Sequence, residues 1–474
     1  MIERQNWNPA SWRCRPVSQA VDYPDPALLA SIEAELRTLP PLVTPGEIRS
    51  LRDELAEVAA GRRLLLQAGD CAESFADHSL DAVTATLQAI LQTSLALAFA
   101  AGKPVVNIGR IAGQYAKPRS AAFETVDGVE IGTYRGDIVN GAGPCRAERT
   151  PDPRRMLQAY ARSAATANLM CRMQDAGTSD ARLMLRRNLD RFAAAPGRSD
   201  FLRLLREVRR AATLAATSGV IAYHSAGAGA SKTYLSHEAL LLPYEEGLTS
   251  RDEETGEWYD GSAHMVWVGE RTRGVDDAHI EYVRGISNPV GLKCGPGMGE
   301  DDLLALVDRI DPRNRPGRLV LIVRMGADHL AHKLPALIRR VEREGRNVIW
   351  VTDPMHGNTT VTRAGYKTRD LDAIRREAAA FFSIHDGEGT VGGGLHLELT
   401  GADVTECVGG MGRITEARLA ESYRTLCDPR LNPTQALELM LLIADELAGS
   451  IERDGASPLP PPRAVPVADR PGAR

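Results

Sequence analysis

Eight short apolar runs punctuate the chain, and each stops at a charged or metal-binding residue. The runs cover 64–66, 105–108, 220–222, 265–268, 290–292, 319–323, 348–351 and 395–399. At or just beyond their ends stand Cys71, Arg110, His224, Glu270 with Arg271, Lys293, Arg324, Asp353 with His356, and Glu398. Parallel strands covered on both faces read as near-continuous apolar runs. Strands that each deliver a polar group at the carboxyl end describe the mouth of an eight-stranded barrel, where groups from distant parts of the chain converge. The pattern predicts an α/β fold, a (β/α)8 TIM barrel.

Helical periodicity fills the intervals. Residues 45–60 read as a helix with Thr44 as N-cap and Pro45 as its first residue. Further helices are predicted at 79–100, 153–175, 200–217, 276–284, 301–310, 331–345, 371–384 and 433–451, the last entered through Asn432-Pro433. The interval between the second and third runs far exceeds one barrel helix, so residues 150–217 read as a helical insertion, a place where binding or regulation is often housed. Residues 1–60 form an N-terminal extension that packs on the barrel or makes a subunit contact. Residues 61–450 form the catalytic barrel, and the Pro/Arg-rich stretch 451–474 reads as a disordered tail.

Composition narrows the function. The net charge of −5 gives no general case for nucleic acid or an anionic membrane. No uninterrupted apolar run approaches the ~20 residues of a membrane span, and the first residues lack a signal core, so a cytoplasmic protein is expected. Seven widely spaced cysteines without a CxxC argue against a disulfide scaffold. Six lysines stand against 51 arginines. A position that has kept lysine is therefore a candidate for needing an ammonium. Three of the six, Lys117, Lys293 and Lys367, sit in dense polar motifs.

Two constellations carry chemistry. Cys71, His356, Glu398 and Asp428 offer one thiolate, one imidazole and two carboxylates, a donor set suited to Mn²⁺, Co²⁺, Fe²⁺ or Zn²⁺ rather than Mg²⁺. Each alone has a plainer account: Cys71 as buried filler, His356 and Asp428 as turn residues. Together at strand ends they favour a metal. The second constellation is cationic: Arg110, Lys117, Arg119, Arg271, Lys293 and Arg324. Clustered cations in a barrel mouth call for anionic ligands, and six exceed the needs of one phosphate. Arg273, Lys367 and Arg369 read instead as solvated loop charges or partners of Glu270 and Asp353. GAGASKT at 227–233 lacks the second glycine of a phosphate-binding loop and reads as a flexible loop. Ser236 in SHEALLLPYEE reads as a helix cap, and capping alone explains the segment although His237 and Glu238 could reach the site.

The motifs GDCAESF, GRIAGQYAKPRS, YRGDIVN, SHEALLLPYE, WVGERTR, NPVGLKCGP, VRMGA, WVTDPMHGNT, GYKTR, HLELTG, DVTECVGG and CDPRLN occur in this order from about residue 7 to 448. In sequence and order they resemble type II 3-deoxy-D-arabino-heptulosonate 7-phosphate (DAHP) synthase. DIVN where the family has DNVN, and GGGLH where it has GGIH, change none of the candidate ligands. The resemblance implies a transferase that joins phosphoenolpyruvate to erythrose 4-phosphate and releases phosphate, the first step of the shikimate pathway. It implies one divalent metal ion, Mn²⁺ or Co²⁺ first and Zn²⁺ or Fe²⁺ second, on Cys71, His356, Glu398 and Asp428. It places phosphoenolpyruvate on Arg110, Glu270, Arg271, Lys293 and Arg324. The phosphate of erythrose 4-phosphate falls on Lys117, Pro118, Arg119 and Ser120. Lys293, Cys71 and His356 are then the candidate catalytic groups, with Lys293 a proton donor whose pKa burial among cations lowers.

The same resemblance implies a homodimer or homotetramer, with chorismate mutase as a partner enzyme, and no nucleic acid or membrane. It also leaves two other readings. One is a paralogue that takes an amino sugar phosphate; the other is a catalytically silent barrel, which the presence of every ligand and cation disfavours. Because Cys427 adjoins Asp428, oxidation of the metal-free protein is expected to pair Cys71 with Cys427.

Overall fold

The computed structural model describes residues 7–126, 128–175, 232–444 and 446–447. Eight parallel strands close into a barrel in sequence order. They are β1 (Leu64–Gly69), β2 (Val105–Arg110), β3 (Thr233–Glu238), β4 (Met265–Val268), β5 (Val290–Cys294), β6 (Leu319–Val323), β7 (Ile349–Thr352) and β8 (Gly392–Glu398). Each pairs in parallel with its neighbours, and β1 closes on β8 through Leu65↔Gly394 to Gly69↔Glu398.

Seven strands fall on predicted runs; the third does not. The run at 220–222 with His224 lies outside the described residues, as does the helix expected at 200–217, and the barrel's third strand is Thr233–Glu238. It pairs Asn107↔Thr233 on one side and Ser236↔Met265 on the other. Ser236 is therefore a mid-strand residue opposite Arg110 and not a helix cap. The short helix Leu242–Gly247 begins beyond it, with Pro243 in its first turn. The strand escaped notice because Thr233, Ser236 and Glu238 break its apolar run.

Side chains alternate between the two faces of each strand. One set, Leu65, Val106, Ile108, Tyr234, Met265, Trp267, Val320, Ile322, Ile349 and Val351, packs with Leu51, Leu55 and Val58 into a core of its own. This is the barrel interior, plugged at the amino end by the helix Pro45–Ala59. That helix starts as the sequence predicts, through a capping box between Thr44 and Glu47 with Pro45 at its first turn. The other set packs against the surrounding helices in the larger core. Following the interior face upward, Val106 and Ile108 lead to Arg110, Tyr234 to Ser236 and Glu238, and Leu65 to Gln67. The interior is thus apolar below and polar at the carboxyl end.

The helix Leu80–Ala101 is long and apolar enough to cross a membrane, although Thr, Gln and Ser interrupt it. Just over half of its most apolar stretch is buried, against the helix Pro433–Leu442 and strands β1 and β2. Between β2 and β3 lie the hairpin Phe123–Val126 with Val129–Gly132 and the helix Arg154–Asp175. The helix entered at Asn432 has the expected cap, reinforced by Gln435.

Candidate active site

The site is built by polar groups that the barrel strands raise to the carboxyl-end mouth. Two motifs lock the loop after β2. The carboxylate of Glu73, in GDCAESF, accepts backbone N–H bonds from Ala112, Gly113 and Gln114 at 3.1, 2.9 and 2.8 Å. Burial lifts its pKa to about 7 against those three bonds. Gln114 in turn accepts the backbone N–H of Glu238 at 2.9 Å. On the far side Arg430 bridges Asp70 and Glu406 at 3.0 and 2.8 Å, which fixes the CDPRLN segment carrying Asp428.

His356, Glu398 and Asp428 come together. Their ligand atoms all lie within 4.8 Å of one another. The Cys71 thiol stands beside this trio: it accepts the backbone N–H of Asp428 at 3.4 Å and lies 3.5 Å from the Thr425 hydroxyl. Cys71 and Cys427 pack together with Tyr134 in one small buried cluster. The neighbouring Cys71, with Lys117 and Arg119 nearby, lowers the Cys427 thiol despite its burial.

Glu398 is fully buried and meets three cations and one imidazole. Its Oε1 contacts Arg110 at 2.9 Å, Lys117 at 3.3 Å and His356 Nε2 at 3.1 Å; its Oε2 contacts Arg369 at 2.7 Å. Burial alone would raise this carboxyl, yet the surrounding positive charge holds it well below the usual range. Lys117 bridges Glu398 and Asp428, at 2.9 Å from the latter. A cation therefore already spans the two carboxylates, and the donors present (imidazole, two carboxylates and an adjacent thiol) fit a borderline divalent ion.

The cations line one cavity of about 270 Å³ with His356 and Asp428. Arg110, Lys117, Pro118, Arg119, Ser120, Glu270, Arg271, Lys293 and Arg324 all border it. Arg271 donates to the Ser120 hydroxyl at 2.8 Å and so joins the two groups of residues assigned to different substrates. Lys293 is buried against Asp353 at 2.5 Å. Burial brings its pKa down to about 8, with Arg110 and Arg324 assisting and Asp353 opposing.

Three charges set aside on sequence divide differently. Arg273 pairs with Glu270 at 2.8 Å, one of the roles expected of it. Arg369 is no solvated charge: it is fully buried on Glu398 and the Pro429 carbonyl. Lys367 is half-exposed and reaches Asp428 at 3.0 Å. The three motif lysines thus all meet carboxylates.

Sequence reasoning discounted Glu238 and missed other members. Glu238 borders the cavity, is buried, and its Oε1 makes no hydrogen bond. A Cβ on Gly269 would stand 2.0 Å from that oxygen, so only glycine leaves the carboxyl its place. Burial raises this carboxyl's pKa against the pull of four nearby cations. Gln114 and Trp267 complete the wall. The Arg110 guanidinium lies 5.0 Å and the Lys293 ammonium 5.9 Å from the indole centroid, within reach of cation–π attraction. Beneath them His396 and Gln67 are wholly buried. Nothing local in the sequence marks these two, because polar residues on the interior face look like interruptions of apolar strands.

Comparison with known proteins agrees with this geometry. The profile of the class-II DAHP synthetase family matches residues 7–444. A phospho-2-dehydro-3-deoxyheptonate aldolase of Streptomyces coelicolor is 46% identical over 435 residues, covering 92% of this chain and 96% of that one. Its counterpart in Neurospora crassa is 43% identical over 455 residues, covering 93% and 94%. A solved phospho-2-dehydro-3-deoxyheptonate aldolase from Francisella tularensis SCHU S4 aligns with a TM-score of 0.41 at 14% identity, over 88% of this chain and 96% of that one, too distant to argue from. The chain is an enzyme of the class-II DAHP synthetase family.

Proposed function

We propose that this enzyme condenses phosphoenolpyruvate with erythrose 4-phosphate to give DAHP and phosphate, using one divalent ion held by Cys71, His356, Glu398 and Asp428. The observation that carries the reading is the convergence of the His356–Glu398–Asp428 trio with a cage of cations around one cavity. A substrate with both carboxylate and phosphate needs such a cage to offset its own charge repulsion. Arg110, Arg271, Lys293 and Arg324 supply it, with Glu270 fixing the wall through the Gly295 N–H at 2.8 Å. Lys117, Pro118, Arg119 and Ser120 receive the phosphate of the aldehyde substrate. The ion, Mn²⁺ or Co²⁺ by preference, supplies Lewis-acid polarisation of the aldehyde oxygen.

The protein's own groups do the rest. Holding both substrates face to face converts an encounter into an intramolecular step, in which carbon three of the enol attacks the aldehyde carbon. Water then adds at carbon two and phosphate leaves. Lys293 donates a proton, and Glu238, the carboxyl with an unpaired oxygen on the cavity wall, orients the water. Phosphate release from phosphoenolpyruvate tests the reading, run with erythrose 4-phosphate and in parallel with its amino analogue. Release only with the amino analogue would move the enzyme to the alternative acceptor, and release with neither would sink the proposal.

Lys293 is charged below its pKa and loses its charge above it. The kcat/KM for phosphoenolpyruvate therefore falls above about pH 8, up to about tenfold per unit. An unbroken plateau to pH 10 would contradict this. Oxidation of the metal-free protein by peroxide, which takes two electrons and both thiol protons, joins Cys71 to Cys427 and blocks Mn²⁺ uptake. Peptide mass mapping that finds both thiols free after oxidation would reject the pairing.

A further inference from the structure

Arg110 and Lys293, two cations, both donate to one neutral atom. Arg110 Nη1 and Lys293 Nζ point at His396 Nε2, the lysine at 2.8 Å. A guanidinium has donors only. His396 Nε2 must therefore carry a lone pair, and Nδ1 must carry the hydrogen. Nδ1 lies 2.7 Å from Gln67 Oε1, which accepts it. Gln67 then has its amide nitrogen free to donate, and that nitrogen lies 2.9 Å from Ser236 Oγ. Ser236 passes its own hydrogen to the Gly109 carbonyl at 3.0 Å. A carbonyl cannot donate, so the series ends there and has one self-consistent direction. Reversing the Gln67 amide would put N–H against Nδ1 and force a hydrogen onto Nε2, facing both cations.

Gln67, His396, Arg110 and Ser236 come from four adjacent strands in register, and Lys293 reaches in from β5. Gln67 sits opposite His396, and Arg110 opposite Ser236. All four are buried. The His396 ring meets the Trp267 ring edge-on at 5.4 Å between centroids, which holds its plane.

We propose that Gln67 and His396 are positioning residues: Gln67 fixes the His396 tautomer so that one imidazole lone pair holds Arg110 and Lys293 side by side without neutralising either. A carboxylate in this place would align the cations but cancel one charge. A protonated imidazole would push them apart. A neutral acceptor fixes the pair without adding to the negative charge that Glu398 and Asp353 already set against Arg110 and Lys293. The inference rests on the proposed role of Arg110 and Lys293 in binding phosphoenolpyruvate.

The test uses the full-length Mn²⁺-loaded enzyme, with phosphoenolpyruvate binding by calorimetry and KM measured separately for each substrate. Gln67→Leu removes the acceptor and weakens phosphoenolpyruvate binding about tenfold, with erythrose 4-phosphate KM changed less than about twofold. Equal effects on both substrates would overturn the proposal. Neutron diffraction from deuterium-exchanged wild-type crystals decides it even where the variant does not fold. A deuteron on Nδ1 of His396 is expected, and one on Nε2 refutes it. Wild type that binds phosphoenolpyruvate but forms no product overturns the proposed reaction and leaves the pair to these readouts. Wild type that binds none overturns both.

Discussion

Lys293→Arg is expected to lower kcat at saturating substrate about 10³-fold, the middle of the range for losing a positioned proton donor. The charge survives this change, so what is lost is geometry and proton transfer. Lys293 Nζ fits between Asp353 Oδ2 at 2.5 Å and His396 Nε2 at 2.8 Å, in a buried slot at the edge of the cavity. A planar guanidinium cannot fill that slot without displacing Asp353, which also takes a bond from His356 Nδ1 at 2.7 Å. Nor can it release a proton near neutral pH, whereas burial brings the Lys293 ammonium to about 8. The KM for phosphoenolpyruvate should rise less than kcat falls, because the guanidinium still attracts the anion. Undiminished turnover at saturation would reduce Lys293 to an electrostatic contact.

Glu398→Gln is expected to remove activity by about 10³-fold and to destabilise the fold by about 3–5 kcal/mol. The carboxylate has no exposed surface, and Arg110, Lys117, His356 and Arg369 all meet it. An amide keeps the shape but presents an NH₂ group to donors and leaves buried cations without their counter-charge. Arg369 suffers most, since its other bonds run to the neutral Thr359 hydroxyl and Pro429 carbonyl. Denaturant unfolding gives the stability change, and Mn²⁺ titration gives the ligand role. Wild-type Mn²⁺ affinity in a folded Glu398→Gln protein would remove Glu398 from the metal site.

These two residues also show what a sequence makes legible. Lys293 follows the apolar run 290–292 and Glu398 lies in the run 395–399, so each stands out against β5 and β8. The same contrast exposes Arg110, Arg324 and Asp353. It fails where the interior face turns polar. Gln67 and His396 sit inside β1 and β8, and the polar face of β3 drew the third strand to an apolar run some fifteen residues too early. Helix entries at Thr44 and Asn432 were legible because capping is local chemistry. Arg369 was not, because its value lies in a carboxylate 29 residues away. The Lys117 bridge joins still more distant segments, 281 residues apart. The metal trio was readable only as residue types at strand ends; its closeness in space belongs to barrel closure.

The most direct measurement is diffraction at the manganese edge from crystals soaked with Mn²⁺ and phosphoenolpyruvate. The account predicts one strong anomalous peak bound by Cys71, His356, Glu398 and Asp428, with the substrate's anionic groups on Arg110, Lys293 and Arg324. A peak elsewhere, or substrate density away from that cavity, would contradict it.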